Sequence, residues 1–338
     1  MNKLRLGWIL LAVLFAGCGG SGGDSGAPEL TTLPPIAPAF AGVDLSAPYP
    51  TRTTSDIVYG VAPVNQAAPA DLNLLLDLYE PAVDLAGADV ASVVIIHGGG
   101  FVGGSRQQSQ LQRFGEELAA RGFVAVSIDY RLVPDDPVLS APYEALFNAL
   151  NVPAPASDTV RALLAALEDT RQAMEWLDAA LTDQGATTGG LALLGSSAGA
   201  VTSLDYSYSL DNVGLPTLPV DAVAALWGSL VLGQDDVDAI RAGDPPVVMI
   251  HGTQDPTVNY ELGSLLVASR AETAGVPHEL MTNVGAGHGY GDNDIFNRET
   301  FPGSGQTQAD RLYQFLAVAL LTPDCLRQEL VIDNCSLP

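Results

Sequence analysis

Basic charge is scarce in this chain. Lysine occurs once, at Lys3, and Lys and Arg together number 14 against 39 Asp and Glu, for a formal net charge of −25 over 338 residues. Such a surface repels polyphosphates, so nucleic-acid binding through a basic face is excluded, as is membrane adhesion through a polybasic patch. A single lysine also removes the P-loop phosphate cradle, Schiff-base catalysis and a Ser-Lys dyad. Metal-ligating residues are few: 4 His, 3 Cys, and neither C-x-x-C nor H-E-x-x-H, which leaves no usual zinc frame. Long hydrophobic runs are lacking too. The apolar run at the N-terminus, Leu6 to Ala16, is too short to cross about 30 Å of hydrocarbon comfortably.

That run follows Lys3 and Arg5 and is read as the core of a signal peptide over residues 1–17. It ends in Phe15-Ala16-Gly17-Cys18, which resembles the bacterial lipobox, whose cysteine is lipidated and becomes the mature N-terminus. Phe15 stands where lipoboxes usually carry Leu, so secretion without lipid is the alternative. Residues 18–55 open with GGSGGDSGAP after Cys18, the composition of a flexible tether. The expectation is an exported bacterial protein, lipid-anchored to the cell envelope, or else periplasmic or secreted, with no other membrane contact. In that oxidising space Cys325 and Cys335 are expected to pair and to hold down a tail over 322–338, with about 2–3 kcal/mol from closing so short a loop. Two free buried thiols are the alternative.

With 47% apolar residues, 35 Gly and 23 Pro, the remainder reads as one globular body over 56–338. Short runs rich in Val, Ile and Leu alternate with stretches at helical spacing. Strands are predicted at 71–80, 91–97, 123–129, 190–195, 220–227, 246–252 and 278–284. Helices are predicted from Gln108 to Ala120, Asp158 to Leu181, Ser197 to Ser209, Tyr260 to Ala274 and Gln308 to Leu321. Several strands are apolar on nearly every residue, which requires cover on both faces. The fold class is therefore α/β, a mostly parallel central sheet with helices on both sides. Residues 132–157, with Pro134, Pro137, Pro142, Pro153 and Pro155, break the rhythm and are read as an inserted, lid-like loop.

Chemistry concentrates first at Gly195-Ser196-Ser197-Ala198-Gly199, a G-x-S-x-G pattern. By residue frequencies it arises by chance roughly 0.2 times in such a chain, so context must carry it. Leu191 to Leu194 form a buried strand before it and a helix follows, the setting of a nucleophile elbow. Small neighbours let the Ser197 hydroxyl project from a strained turn. The hydroxyl needs a base. His97 and His251 end buried strands and His278 opens one, whereas His288, in GAGHGY, lies in a glycine-flanked loop able to carry an imidazole over the sheet edge. His288 is the predicted base and activity should fall on acidification. The carboxylate that fixes its tautomer should fall between Ser197 and His288. Asp255, in HGTQDPTV at a strand end, is the choice over Asp235, Asp236, Asp238 and Asp244, while Asp292 and Asp294 are assigned to a solvated or hydrogen-bonding turn. Gly98 and Gly99 of His97-Gly98-Gly99-Gly100, with the amide of Ala198, are the predicted oxyanion donors. His97 is read as a turn brace. GGGFVG at 98–103 also matches G-x-G-x-x-G, but a nucleotide site leaves Ser197, Asp255 and His288 in order without explanation.

Taken together, LLLDLYEP, VVIIHGGGFVGG, VAVSIDYRLVP, ALEDTRQAMEWL, LLGSSAGA, IHGTQDPTV and GAGHGY resemble α/β-hydrolases of the carboxylesterase type, similar to the hormone-sensitive-lipase-like and feruloyl-esterase-like bacterial enzymes. The resemblance covers most of 71–321. It implies Ser197 as nucleophile, Asp255 and His288 as its partners, the glycine amides as oxyanion donors, Asp129 and Arg131 as structural supports, no cofactor and no metal. The implied partner is an ester, free or linked to an oligosaccharide, with short to medium acyl groups. A serine peptidase of related fold and a non-catalytic surface-binding relative are the other readings. The long insertion after DYRL-x-P departs from the family pattern and bears on pocket shape.

Overall fold

A computed structural model describes residues 49–291 and 293–321. The expected signal peptide, Cys18, Asp292 and the tail with Cys325 and Cys335 lie outside them. Among the described residues eight strands form one sheet: β1 (Thr51–Val64), β2 (Ala70–Pro81), β3 (Asp89–Ile96), β4 (Val124–Ile128), β5 (Thr187–Ser196), β6 (Ala222–Leu226), β7 (Val247–Gly252) and β8 (His278–Asn283). Their order is β1-β2-β4-β3-β5-β6-β7-β8. β1 pairs antiparallel with β2 and β2 with β4, and every later pairing is parallel.

The helices are α1 (Ser109–Ala120), α2 (Ala141–Leu150), α3 (Ala156–Asp183), α4 (Ala198–Tyr208), α5 (Ser264–Ala274) and α6 (Gln308–Leu321). Side-chain alternation along the strands divides the core. Val93 and Ile95 of β3, with Ala192 and Leu194 of β5, pack with Leu111, Phe114 and Leu118 of α1 and Leu312, Phe315 and Leu316 of α6. Val94, Ile96, Leu191 and Leu193 point the other way, onto α3 and Val201 of α4, and Val223, Ala225 and Met249 meet α4 and α5 on that same side. Both parities are apolar because both faces are covered.

Two elements depart from expectation. β1 occupies Thr51–Val64, starting inside the stretch read as tether. Its exposed residues outnumber its buried ones, since it is the edge strand of an antiparallel pair with one neighbour, and so it gives no strong apolar signal. The insertion is not structureless. It holds a 3-10 turn at Val133–Asp135 and the helix α2, with Pro142 in the first turn of α2, where a missing N–H costs nothing. Leu146, Phe147 and Leu150 pack on the core, and Arg161 of α3 ties down Glu144 at 2.7 Å. Arg131 anchors the start of this segment. Its Nε and Nη2 pair with the fully buried Asp169 at 3.0 and 2.8 Å, while its Nη1 donates to Val138 O at 2.7 Å. No helix among the described residues is long and apolar enough to cross a membrane.

Candidate active site

Parallel strands deliver their C-terminal ends to one rim, and the order β3-β5-β6-β7-β8 sets the loops after β3, β5, β7 and β8 around it. Ser197 stands between β5 and α4 with φ 52° and ψ −117°. A non-glycine residue with positive φ costs on the order of 1–3 kcal/mol and persists only where its surroundings over-determine it. Here the Ser197 N–H is bonded to Leu226 O of β6 at 2.9 Å, and its carbonyl accepts the Val201 N–H at 2.9 Å to start α4. The flanking glycines are required by space: a Cβ on Gly195 would lie 2.1 Å from Gly199 O, and one on Gly199 would lie 2.0 Å from Ile96 O. The side chains left to this turn can only be small ones.

His288 Nε2 is 2.9 Å from Ser197 Oγ, and His288 Nδ1 is 2.7 Å from Asp255 Oδ2. The three residues, 33 and 91 positions apart in their pairs, thus form one chain of hydrogen bonds. A carboxylate only accepts, so Nδ1 carries the hydrogen, which leaves the Nε2 lone pair facing the hydroxyl; the tautomer is inferred from this network. Asp255 Oδ1 accepts the N–H groups of Thr257 and Val258, each at 2.8 Å. Burial works against the Asp255 charge, but hydrogen bonds from His251 and His288 outweigh it and hold the carboxyl well below the usual carboxylate range.

The loop bearing His288 is fixed from below. Gln254 N–H donates to Ala286 O at 3.0 Å, and Asn293 Nδ2 donates to Gly287 O at 2.7 Å. Gly252 lets the loop approach, since a Cβ there would meet Ala286 O at 2.3 Å. Trp227 meets His288 edge-on with centroids 6.3 Å apart, and Tyr290 meets Trp227 at 4.7 Å.

Gly98 adjoins the serine: a Cβ on it would be 2.9 Å from Ser196 O and 3.1 Å from Ser197 Cβ. Gly99 has φ 124°, and its carbonyl takes the N–H groups of Val102 and Gly103 in a tight turn. Ala198 opens α4, so its N–H has no acceptor within the helix. His97 braces this turn. Its Nδ1 lies 2.7 Å from Gly98 O, and its ring stacks on Tyr130 at 4.2 Å, whose hydroxyl donates to His97 O at 2.9 Å. Burial lowers the His97 pKa. The glycine run does not open a helix, because α1 begins only at Ser109, unlike a dinucleotide fingerprint.

The competing carboxylates are elsewhere. Asp235, Asp236 and Asp238 are exposed, and Asp244 accepts the Arg241 N–H at 2.7 Å. Asp129 receives Arg106, which also reaches Asp77 at 2.9 Å, so Asp129 supports the β4 end. Sequence reasoning missed Asn293, which is 0% exposed and hydrogen-bonded to Asn283 as well as to Gly287. An amide amid a D-N-D group in a loop carries no periodic signal. It also missed the contact of His251 with Asp255, which the four-residue spacing of H-G-x-x-D could have suggested. Among the described residues no group of three or more His, Cys, Asp or Glu side chains is placed to hold a metal ion.

A strained serine between strand and helix, a carboxylate after β7 and a histidine after β8, on this sheet order, are features of the α/β-hydrolases, and the chain has that fold. The family model described as BD-FAE matches residues 76–150. Among solved structures, Thermogutta terrifontis esterase 2 phosphoramylated by tabun superposes with a TM-score of 0.54 at 24% identity, over 80% of this chain and 94% of that one. Its butyrate-bound form gives 0.54 at 22% identity, over 83% and 95%. A truncated carbohydrate esterase from gut microbiota gives 0.54 at 15% identity, over 84% and 99%. Among curated proteins, the non-reducing polyketide synthase atr1 of Stereocaulon alpinum is 24% identical over 183 residues, 52% of this chain and 6% of the synthase. The chain spans only a small part of that relative's length.

Proposed function

We propose that the protein is a serine carboxylic-ester hydrolase acting on short to medium acyl esters, with Ser197 as nucleophile, His288 as base and Asp255 as its carboxylate partner. The hydrogen-bonded chain from Asp255 Oδ2 through His288 to Ser197 Oγ, at 2.7 and 2.9 Å, is the observation that carries this reading. His288 Nε2 takes the hydroxyl proton as Ser197 Oγ attacks the ester carbonyl carbon. The N–H groups of Gly98, Gly99 and Ala198 receive the oxyanion, each such donor being worth roughly 10²–10³ in rate. His288 then returns the proton to the departing alcohol oxygen as its bond to the acyl carbon breaks. In the second half His288 takes a proton from water as its oxygen attacks the acyl carbon, the bond from that carbon to Ser197 Oγ breaks, and His288 returns the proton to Oγ as the acid leaves. Asp255 compensates the imidazolium charge in both halves. The butyrate held by the Thermogutta terrifontis esterase supports a short acyl probe.

Changing Ser197 to Ala is expected to cut kcat for p-nitrophenyl butyrate by at least about a thousandfold and to abolish labelling by a fluorophosphonate. Near-normal turnover in S197A refutes the assignment. The N-terminal sequence supports placing this activity outside the cytoplasm on a lipid anchor at Cys18, a proposal that mass spectrometry of the mature N-terminus tests directly.

A further inference from the structure

His251 is the penultimate residue of β7, 0% exposed, and plays no part in the proton transfers above. Its Nε2 lies 3.1 Å from Asp255 Oδ2, the same oxygen that takes His288 Nδ1, and 3.0 Å from Val258 O. Both neighbours only accept, so Nε2 carries a hydrogen. In the neutral ring Nδ1 is then an acceptor, and Ser264 Oγ at 2.8 Å donates to it. Ser264 opens α5 and is itself fully buried. The Asp255 carboxylate thus receives four hydrogen bonds, two on each oxygen, which fill its acceptor sites and fix its rotation.

We infer that His251, with its Nε2–H tautomer set by the acceptors Asp255 and Val258 and its ring held at Nδ1 by Ser264, is a positioning residue: it holds Asp255 Oδ2 toward His288 and moderates how strongly that oxygen binds the imidazolium. The inference rests on the esterase reading above. The other groups facing the ring are Tyr260, edge-on at 5.7 Å with its hydroxyl 2.8 Å from Thr282 Oγ1, Thr282 itself as the β8 register partner, and the uncharged residues at the end of β6. Asp255 is therefore the charged group this imidazole addresses. Its hydrogen bond shares the charge of Oδ2. Removing it leaves Oδ2 held by His288 alone, a less firmly placed oxygen, which lowers kcat, and one that grips a protonated His288 more tightly, which raises the acid limb of the rate profile.

The test compares H251L, H251Q and S264A with wild type and S197A, using kcat, KM and the pH profile of kcat/KM for p-nitrophenyl butyrate. H251L should lose roughly 10- to 100-fold in kcat with KM within about twofold, and its acid limb should move up by about half a pH unit or more. H251Q restores an N–H near the Nε2 position and should recover most of both effects. S264A should show the same two changes at smaller size, roughly three- to tenfold in kcat, and decides the matter if H251L does not fold. An unmoved acid limb in both H251L and S264A, or a folded H251Q as impaired as H251L, overturns the inference. S197A separates the two levels, since its inactivity beside a normal H251L sinks only the role of His251, whereas its activity sinks the esterase reading.

Discussion

Replacing Asp255 by Asn keeps the shape but changes one oxygen into an NH₂ group and removes the charge, so its consequence can be worked out from the four bonds this side chain accepts. Oδ1 faces the backbone N–H groups of Thr257 and Val258 at 2.8 Å, donors that cannot turn round. The amide oxygen must take that place, because the reverse orientation leaves both N–H groups unpaired at about 1–3 kcal/mol each. The NH₂ group then occupies the Oδ2 position, where His251 Nε2–H loses that acceptor but keeps Val258 O at 3.0 Å; it lies 2.7 Å from His288 Nδ1 and obliges that nitrogen to accept. The imidazole hydrogen moves to Nε2, facing Ser197 Oγ across 2.9 Å, with no lone pair left to take the hydroxyl proton. The expected loss in kcat is about 10⁴-fold, the effect of the same change in other Ser-His-Asp triads, or about 5.5 kcal/mol at 1.36 per tenfold. Steady-state kcat on p-nitrophenyl butyrate measures it, with circular dichroism to establish that D255N is folded. A folded D255N within tenfold of wild type would show that the network does not control the tautomer. The same variant has a stability signature. A carboxyl held below its unfolded pKa contributes stability that is present above about pH 4 and lost as pH falls through the folded value. The acid-unfolding curve of D255N should accordingly be flatter than that of wild type.

Two further predictions concern the scaffold. Arg131→Met leaves the fully buried Asp169 without its guanidinium and should cost about 3–5 kcal/mol in urea unfolding; the double variant R131M/D169L should recover most of it, and a loss below about 1 kcal/mol in R131M contradicts the ion pair as anchor of the insertion. Asp205 of α4 is buried with its carboxyl accepting Ser209 Oγ and the N–H groups of Val231 and Leu232. Burial, only partly offset by these bonds, pushes its pKa up to about 7. The folded state then keeps a proton that the unfolded chain releases near pH 4, so stability should fall as pH rises from about 4 toward 7. Asp205→Asn should remove that slope, and parallel stability-against-pH curves for the two proteins would refute it.

Much of this was legible because it is local. The apolar runs gave seven strands within a few residues of their observed bounds, since strands covered on both faces must be apolar throughout. GSSAG was readable as an elbow because only small residues fit a turn whose glycine Cβ positions fall about 2 Å from the neighbouring backbone. β1 escaped, being an edge strand whose residues mostly face solvent. Helix α2 escaped because the prolines of the insertion read as loop, although its own Pro142 sits in the one turn of a helix that tolerates it. Tyr260 to Gly263 read as the start of α5, but the helix begins at Ser264, after a turn in which Gly263 N–H bonds to Asn259 O at 2.8 Å.

The sequence by itself determined the alternation of strands and helices, the serine turn, and the order in which Ser197, Asp255 and His288 follow one another, because each is read from side-chain size and polarity within a few residues. Tertiary structure alone decided that these three meet, that a second histidine shares the carboxylate oxygen, that Asn293 secures the histidine loop, and that a buried Arg131–Asp169 pair holds the insertion. The triad bonds and the Arg131–Asp169 pair join residues tens of positions apart, where strand order and register decide which loops meet; the His251–Asp255 and Asn293–Gly287 contacts span only four and six positions, but which way those side chains turn depends on the loops packed around them.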